Sequence, residues 1–104
     1  MAEKRAIIIG EKDNVATALE NINKGDTIVA KVGDSENSII NLTAKKEIPF
    51  GHKISLVNIK KGEPIVKYNS TIGLATSLIT EGDYVHVHNV ESTRGRGDKR
   101  IVKE

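Results

Sequence analysis

A turn-forming pattern recurs three times in this chain and limits what the chain can fold into. Ile22-Asn23-Lys24-Gly25-Asp26, Ile59-Lys60-Lys61-Gly62-Glu63 and Ile79-Thr80-Glu81-Gly82-Asp83 share the form Ile-x-charged-Gly-acid. An apolar anchor, then a glycine free to take positive φ, then an acid leading into an extended segment, describes a tight turn ahead of a strand. The copies are unequally spaced, which excludes a solenoid. The pattern implies a compact, tightly turned β structure.

Residue usage supports that expectation. At 104 residues the chain fits one domain. Phe50, Tyr68 and Tyr84 are the only aromatics, so the core must be aliphatic. Ile and Val are prominent, and β-branched residues favour strands. The expected strands are Ala6–Ile9, Thr27–Val32, Ser38–Thr43, Lys53–Ile59, Pro64–Tyr68 and Tyr84–Asn89. Thr27–Val32 and Ser38–Thr43 flank a short turn and read as a hairpin. Two segments carry helical spacing instead. Val15, Ala18, Leu19 and Ile22 follow Asp13, a fair N-cap, and predict a helix over Asn14–Ile22. Leu74, Ala75, Leu78 and Ile79 predict another over Ile72–Ile79. From Glu91 onward charge dominates. The expected division is a domain over 1–92 and a basic tail over 93–104.

Charge and chemistry exclude several classes. Sixteen basic residues against 14 acidic ones leave a net charge of +2, too balanced to imply nucleic acid. The basic excess is local, in Arg94-Gly95-Arg96-Gly97-Asp98-Lys99-Arg100, and no set of stacking aromatics accompanies it. Without cysteine there is no disulfide, thiolate metal site or thiol nucleophile. The Ala6–Ile9 run is too short for a signal-peptide core or a membrane span. The expectation is a cytoplasmic protein with no nucleic-acid or membrane partner; homo-oligomerisation stays open. No nucleophile elbow or glycine-rich phosphate loop is present. The residues suit substrate binding, or half of a shared site, better than a complete active site.

The polar candidates lie in the second half. In an extended Val85-His86-Val87-His88-Asn89, His86 and His88 would share one face about 6.6 Å apart, with Val85 and Val87 on the other, towards the core. They could ligate a divalent metal, which would need a third ligand, or contact an anionic substrate; equally, they could be solvent-facing polar residues. Asn89 could bond a substrate hydroxyl or simply end the strand. His52 and Lys53 could form a cationic corner for a carboxylate, or a polar loop. Lys67 and Tyr68 could bind and orient a carboxylate, or be solvated and half-buried. Arg94 and Arg96 could fold over an acidic substrate, or belong to a solvated tail.

Taken in order, Gly51-His52-Lys53, Lys67-Tyr68, Ile72-Gly73 and His86-Val87-His88-Asn89 resemble the SAF domain of the altronate/galactarate dehydratase group. The resemblance runs over about residues 5–98 and is strongest over 50–89. In that group the domain is the N-terminal part of sugar-acid dehydratases, or a separate small subunit as in sulfolactate sulfo-lyase. The resemblance implies a mainly β structure with short helices, of β-clip fold. It implies a large catalytic partner subunit, a sugar-acid or other hydroxy-acid substrate, and a divalent metal, iron in the dehydratases, shared with that partner. The family's polar residues map to His52, Lys53, Lys67, Tyr68, His86, His88 and Asn89, with His86 and His88 as the catalytic and metal-binding candidates. The expected function is that of a small lyase subunit contributing to a shared active site. The alternative is a binding module that takes a sugar acid without turnover.

Overall fold

Nine strands and no helix occupy residues 3–33 and 38–92, the part of the chain that the computed structural model describes. β1 (Glu3–Ile8), β2 (Val15–Ala18), β3 (Thr27–Val32), β4 (Ile39–Thr43), β5 (Lys53–Ser55) and β8 (Tyr84–Val85) form one sheet in the order β4-β3-β1-β2-β5-β8. β6 (Pro64–Lys67), β7 (Ser70–Ala75) and β9 (Val90–Ser92) form a second, in the order β6-β7-β9. Only β1 and β3 are parallel; the other neighbours are antiparallel. Alternation along the strands sets the buried face: Ala6 and Ile8 of β1 and Ile28 and Ala30 of β3 point into one aliphatic core. A second core gathers Val15, Ile59, Ile65, Ala75, Ile79 and Val85. No helix among the described residues is long and apolar enough to cross a membrane.

The recurring turns are the joints of this fold, and the described residues contain four of them. Ile48-Pro49-Phe50-Gly51-His52 takes the geometry of the three copies legible in the sequence. Gly25, Gly51, Gly62 and Gly82 have φ of 92, 87, 90 and 87°, where an L side chain is strained. The corners work in pairs. Ile22 and Ile48 exchange two backbone hydrogen bonds of 2.9 and 2.8 Å, and Ile59 and Ile79 do so at 2.7 and 2.8 Å. All four isoleucines are buried. Four residues before each stands a small buried residue: Ala18, Ala44, Ser55 or Ala75. The glycine N–H of one corner donates to the carbonyl of its partner's small residue: Gly25 to Ala44, Gly51 to Ala18, Gly62 to Ala75 and Gly82 to Ser55. The small residue's N–H donates back to the residue after the glycine, as Ala18 does to His52. Each pair is thus a clip with reciprocal bonds, and the molecule is built from two clips.

This geometry corrects both expected helices. Asn14–Ile22 is strand β2 followed by a corner, and Ile72–Ile79 is the end of β7 followed by another. The helix-like spacing arises because the small residue and the isoleucine of a corner lie four apart and are both buried, as Ala18 and Ile22 are. Leu19 and Leu78, which a helix would have buried, are 38% and 62% exposed. Asp13 caps no helix. Its carboxylate accepts N–H bonds from Gly10 (3.0 Å) and Asn69 (2.7 Å). Two expected strands end early: β5 stops at Ser55, where a corner begins, and β8 stops at Val85. β9, a strand not expected from the sequence, closes the expected domain over 1–92. It pairs with β7, Gly73 facing Ser92, where a Cβ at Gly73 would come within 2.7 Å of the Glu91 carbonyl. The proposed tail, 93–104, lies outside the described residues.

Candidate functional site

β5 and β8 pair antiparallel, with Lys53 opposite Val85 and Ile54 opposite Tyr84. Continuing this register by one residue sets His52 against His86, and their ring centroids are 4.8 Å apart. The Tyr84 hydroxyl lies 2.7 Å from Nδ1 of His52. Which group donates depends on the imidazole tautomer. The Tyr84 ring stacks on His86 at 5.5 Å and 9° and meets His88 at 5.4 Å and 51°. All three histidines of the chain therefore gather around one tyrosine.

His86 and His88 do not share a strand face. Residues 86–89 form a turn, and the valines part company: Val85 is fully buried and Val87 is 80% exposed. Asn89, itself buried, braces the turn. Its Oδ1 accepts the His86 N–H at 3.0 Å and its Nδ2 donates to the Tyr84 carbonyl at 2.9 Å. Its backbone N–H donates to the His86 carbonyl, and its carbonyl accepts from Thr76. The amide that could have met a substrate hydroxyl is thus engaged in holding the two histidines beside Tyr84.

The cluster is electropositive. Desolvation pulls the His86 pKa below its ordinary value of 6.5, and the neighbouring His52, Lys53 and His88 lower it further. At neutral pH the ring is therefore mainly uncharged, with a nitrogen free to accept a proton. Burial also lowers Lys53, and Lys67 adds to the shift. Lys67 thus stands within electrostatic reach of Lys53, its ammonium 5.0 Å from the Tyr68 ring centroid. Tyr68 is 58% exposed at a two-residue hairpin tip, where Tyr68 and Asn69 have φ of 57 and 61°, as a type I′ turn requires. Asp13 secures that tip through Asn69. Burial acts to raise the Asp13 carboxyl, but N–H donors led by Asn69 and Gly10 outweigh it and hold the pKa low.

Two recesses flank the cluster. One of about 200 Å³ lies between Lys53, Ile72, His86, Val87, Val90 and Ser92. The other, about 400 Å³, includes Asn21, Asn23, Glu47, Pro49 and Tyr84 in its walls. A larger cavity of about 560 Å³ lies elsewhere, with Thr27, Asn41, Lys45, Asn58 and Thr80 among its lining. No imidazole reaches it, and its polar groups partly satisfy one another, as in the 2.9 Å bond from Lys45 Nζ to Thr80 Oγ1.

Of the residues singled out from sequence, His52, Lys53, His86 and His88 come together, with Lys67 and Tyr68 at the margin and Asn89 beneath. Arg94 and Arg96 lie outside the described residues. Sequence reasoning passed over Tyr84, the centre of the cluster. Its position two residues before His86 was the available signal, since alternation puts Tyr84 and His86 on one side of Val85. Among the described residues no group of three His, Cys, Asp or Glu side chains is arranged to hold a metal ion.

The chain matches the family described as the altronate/galactarate dehydratase SAF domain over residues 4–93. It is 38% identical to the altronate dehydratase of Bacillus subtilis (strain 168) over 89 residues, 86% of this chain but 16% of that enzyme. It is 42% identical to the (2R)-sulfolactate sulfo-lyase subunit alpha of Paracoccus pantotrophus over 60 residues, 58% of this chain and 90% of that subunit. The corresponding subunit of Chromohalobacter salexigens is 32% identical over 76 residues, 73% of this chain and 80% of that subunit. With residues 4–93 of its 104 matched by the family model, the chain belongs to the altronate/galactarate dehydratase SAF domain family.

Proposed function

We propose that this chain is the small, non-autonomous component of a hydroxy-acid lyase of the dehydratase or sulfo-lyase type. It supplies one wall of an active site whose other wall belongs to a larger chain. The observation that carries this reading is the convergence of His52, Tyr84, His86 and His88 beside Lys53. In the proposed role Lys53 and Lys67 hold the carboxylate of a sugar acid or related hydroxy acid. His86, kept mainly neutral, takes or returns a proton during elimination, and Tyr84 with Asn89 keeps it in place. The match to this chain covers 90% of a protein named as a subunit, which supports the division of labour.

A divalent metal, iron by the family resemblance, is proposed at the shared site. When bound, such a metal would polarise substrate oxygens. The described residues do not form a metal site by themselves, so most ligands would come from the larger chain, with His86 and His88 as the candidates here.

The deciding experiment is reconstitution with the larger lyase chain of the same organism, assayed on altronate, galactarate and sulfolactate. His86→Gln is expected to lower kcat by about 100-fold or more with assembly intact. Full turnover in a His86→Gln, His88→Gln double variant would remove the proposed role. The incomplete ligand set also suits a binding module without turnover. Titrating the isolated chain with hexarates and hexonates separates the two: firm binding without any partner favours the module.

A further inference from the structure

The four corners differ at their tips. Just before the corner glycine, three carry exposed charged residues: Lys24, Lys61 and Glu81. The fourth carries Phe50, 65% exposed. The turn beneath it is braced, with the Phe50 N–H on Asn21 Oδ1 at 2.9 Å and the Gly51 and His52 N–H groups on Ala18 and Pro49 carbonyls. Nothing in the corner geometry calls for an aromatic there, since the other three corners close without one. Val87, 80% exposed, likewise tops a turn clamped by Asn89. Single exposed apolar residues are ordinary. These two stand on rigid turns at either side of one imidazole cluster, Phe50 two residues before His52 and Val87 between His86 and His88. Each of their turns also walls a recess, through Pro49 and through Val87 itself.

We infer that Phe50 and Val87 are the docking points on which a second, larger protein chain closes over the imidazole cluster, seating apolar side chains in the two recesses and leaving Lys53 and Lys67 to the substrate carboxylate. This rests on the proposed function. Charge selects the occupant. The groups that act on His86 and Lys53 are all basic: His52, Lys53, His88 and Lys67. A second copy packed face to face would set like charge against like charge, whereas a different chain can close on the apolar tips and leave the basic groups to an anionic substrate. A lipid surface would accept the apolar tips and lysines, but it would press acyl chains against the polar Asn21, Asn23 and Glu47 wall of the larger recess.

The test uses the chain co-expressed with the larger lyase chain of its own organism, with affinity measured by calorimetry or biolayer interferometry. Phe50→Ser and Val87→Ser together are expected to weaken association by about 100-fold, and each alone by about 10-fold. Leu78→Ser, equally exposed but at another corner, is expected to leave affinity unchanged. Both side chains are exposed, so the thermal midpoint of each isolated variant should match the parent, which shows that the loss is one of docking. A folded double variant that binds within about 3-fold of the parent overturns the inference. Loss of turnover in His86→Gln would then still uphold the proposed function. No complex with the parent chain overturns both. Binding to phosphatidylserine vesicles that depends on Phe50 and Val87, with no dependence of the larger chain on them, overturns the protein-docking assignment.

Discussion

Two corners that share a backbone serve different ends. In the first, Asp26 follows the glycine and its Oδ2 accepts the Asn23 N–H at 2.9 Å, capping its own turn. Glu63 does the same for Lys60 at 2.8 Å in the third corner. In the second, the equivalent residue is His52, and the residue three before it is Pro49, which has no N–H to offer. The proline keeps the turn's φ while removing the donor. Residue 52 is thereby released from capping, and its side chain meets Tyr84 instead. The contrast shows how one joint of a shared design frees a side chain: at the second corner the residue after the glycine has no N–H to cap, and His52 reaches Tyr84.

The corners also differ in how tightly they are enclosed, and this gives the largest expected effect. Gly62 and Gly82 have almost the same φ, 90 and 87°. A Cβ at Gly62 would meet open space, whereas one at Gly82 would collide with the Thr43 carbonyl. Gly62→Ala is expected to cost about 1–2 kcal/mol for the left-handed conformation alone. Gly82→Ala adds an overpacking penalty of about 1–3 kcal/mol, because a backbone carbonyl must move. Urea unfolding of the two variants measures the difference. Equal losses would mean that the four corners are interchangeable.

Much of this was legible in the sequence. Three corners were visible because an acid follows their glycine. The fourth was not, since His52 replaces the acid and Pro49-Phe50 the polar tip. The same joint hid the fold locally. Ala18 to Ile22 and Ala75 to Ile79 repeat at four residues, the spacing of a helix face, although in each case the intervening chain turns a corner. Periodicity alone cannot tell these apart, because burial four residues apart is common to both. The histidine site was found by residue type, but its shape was not. His86 and His88 meet Tyr84 through a turn that depends on the Asn89 amide reaching back to Tyr84 and His86, a tertiary feature with no periodic signal.

A second experiment can break the contrast between corners. His52→Asp removes the Tyr84–His52 bond and gains no capping donor, because Pro49 remains. A loss of about 0.5–1.5 kcal/mol is expected, the worth of one hydrogen bond. Adding Pro49→Asn rebuilds the Asn-x-Gly-Asp turn of the first corner and should recover most of that loss, while the imidazole cluster stays dismantled. Denaturant midpoints of parent, single and double variants decide this. If the double variant is no more stable than the single, the missing N–H of Pro49 does not explain why this corner departs from the others.

The smallest effect concerns pH, and it separates the histidine corner from the acid ones by window. The folded chain holds the His86 pKa below 6.5, so as pH falls through that value the unfolded chain takes up a proton that the folded chain resists. Stability is therefore full above about pH 7 and declines towards about pH 5. The Asp26 carboxyl is also held low, first by the Asn23 N–H and then by Lys4, at 3.0 Å. Its stabilisation is present above the ordinary value of 3.8 and is lost only as pH falls through its lower folded value. Both changes destabilise on acidification, but in different ranges. His86→Gln should flatten the stability profile between about pH 7 and 5 and leave the acid limb below pH 4 unchanged; Asp26→Asn should do the reverse. Urea midpoints measured at half-unit pH steps resolve the two limbs. A His86→Gln profile that keeps the parent's slope between pH 7 and 5 would mean that His86 is not held neutral by the cluster. The basis for its proposed proton-accepting role would then be gone, even with the corner geometry intact.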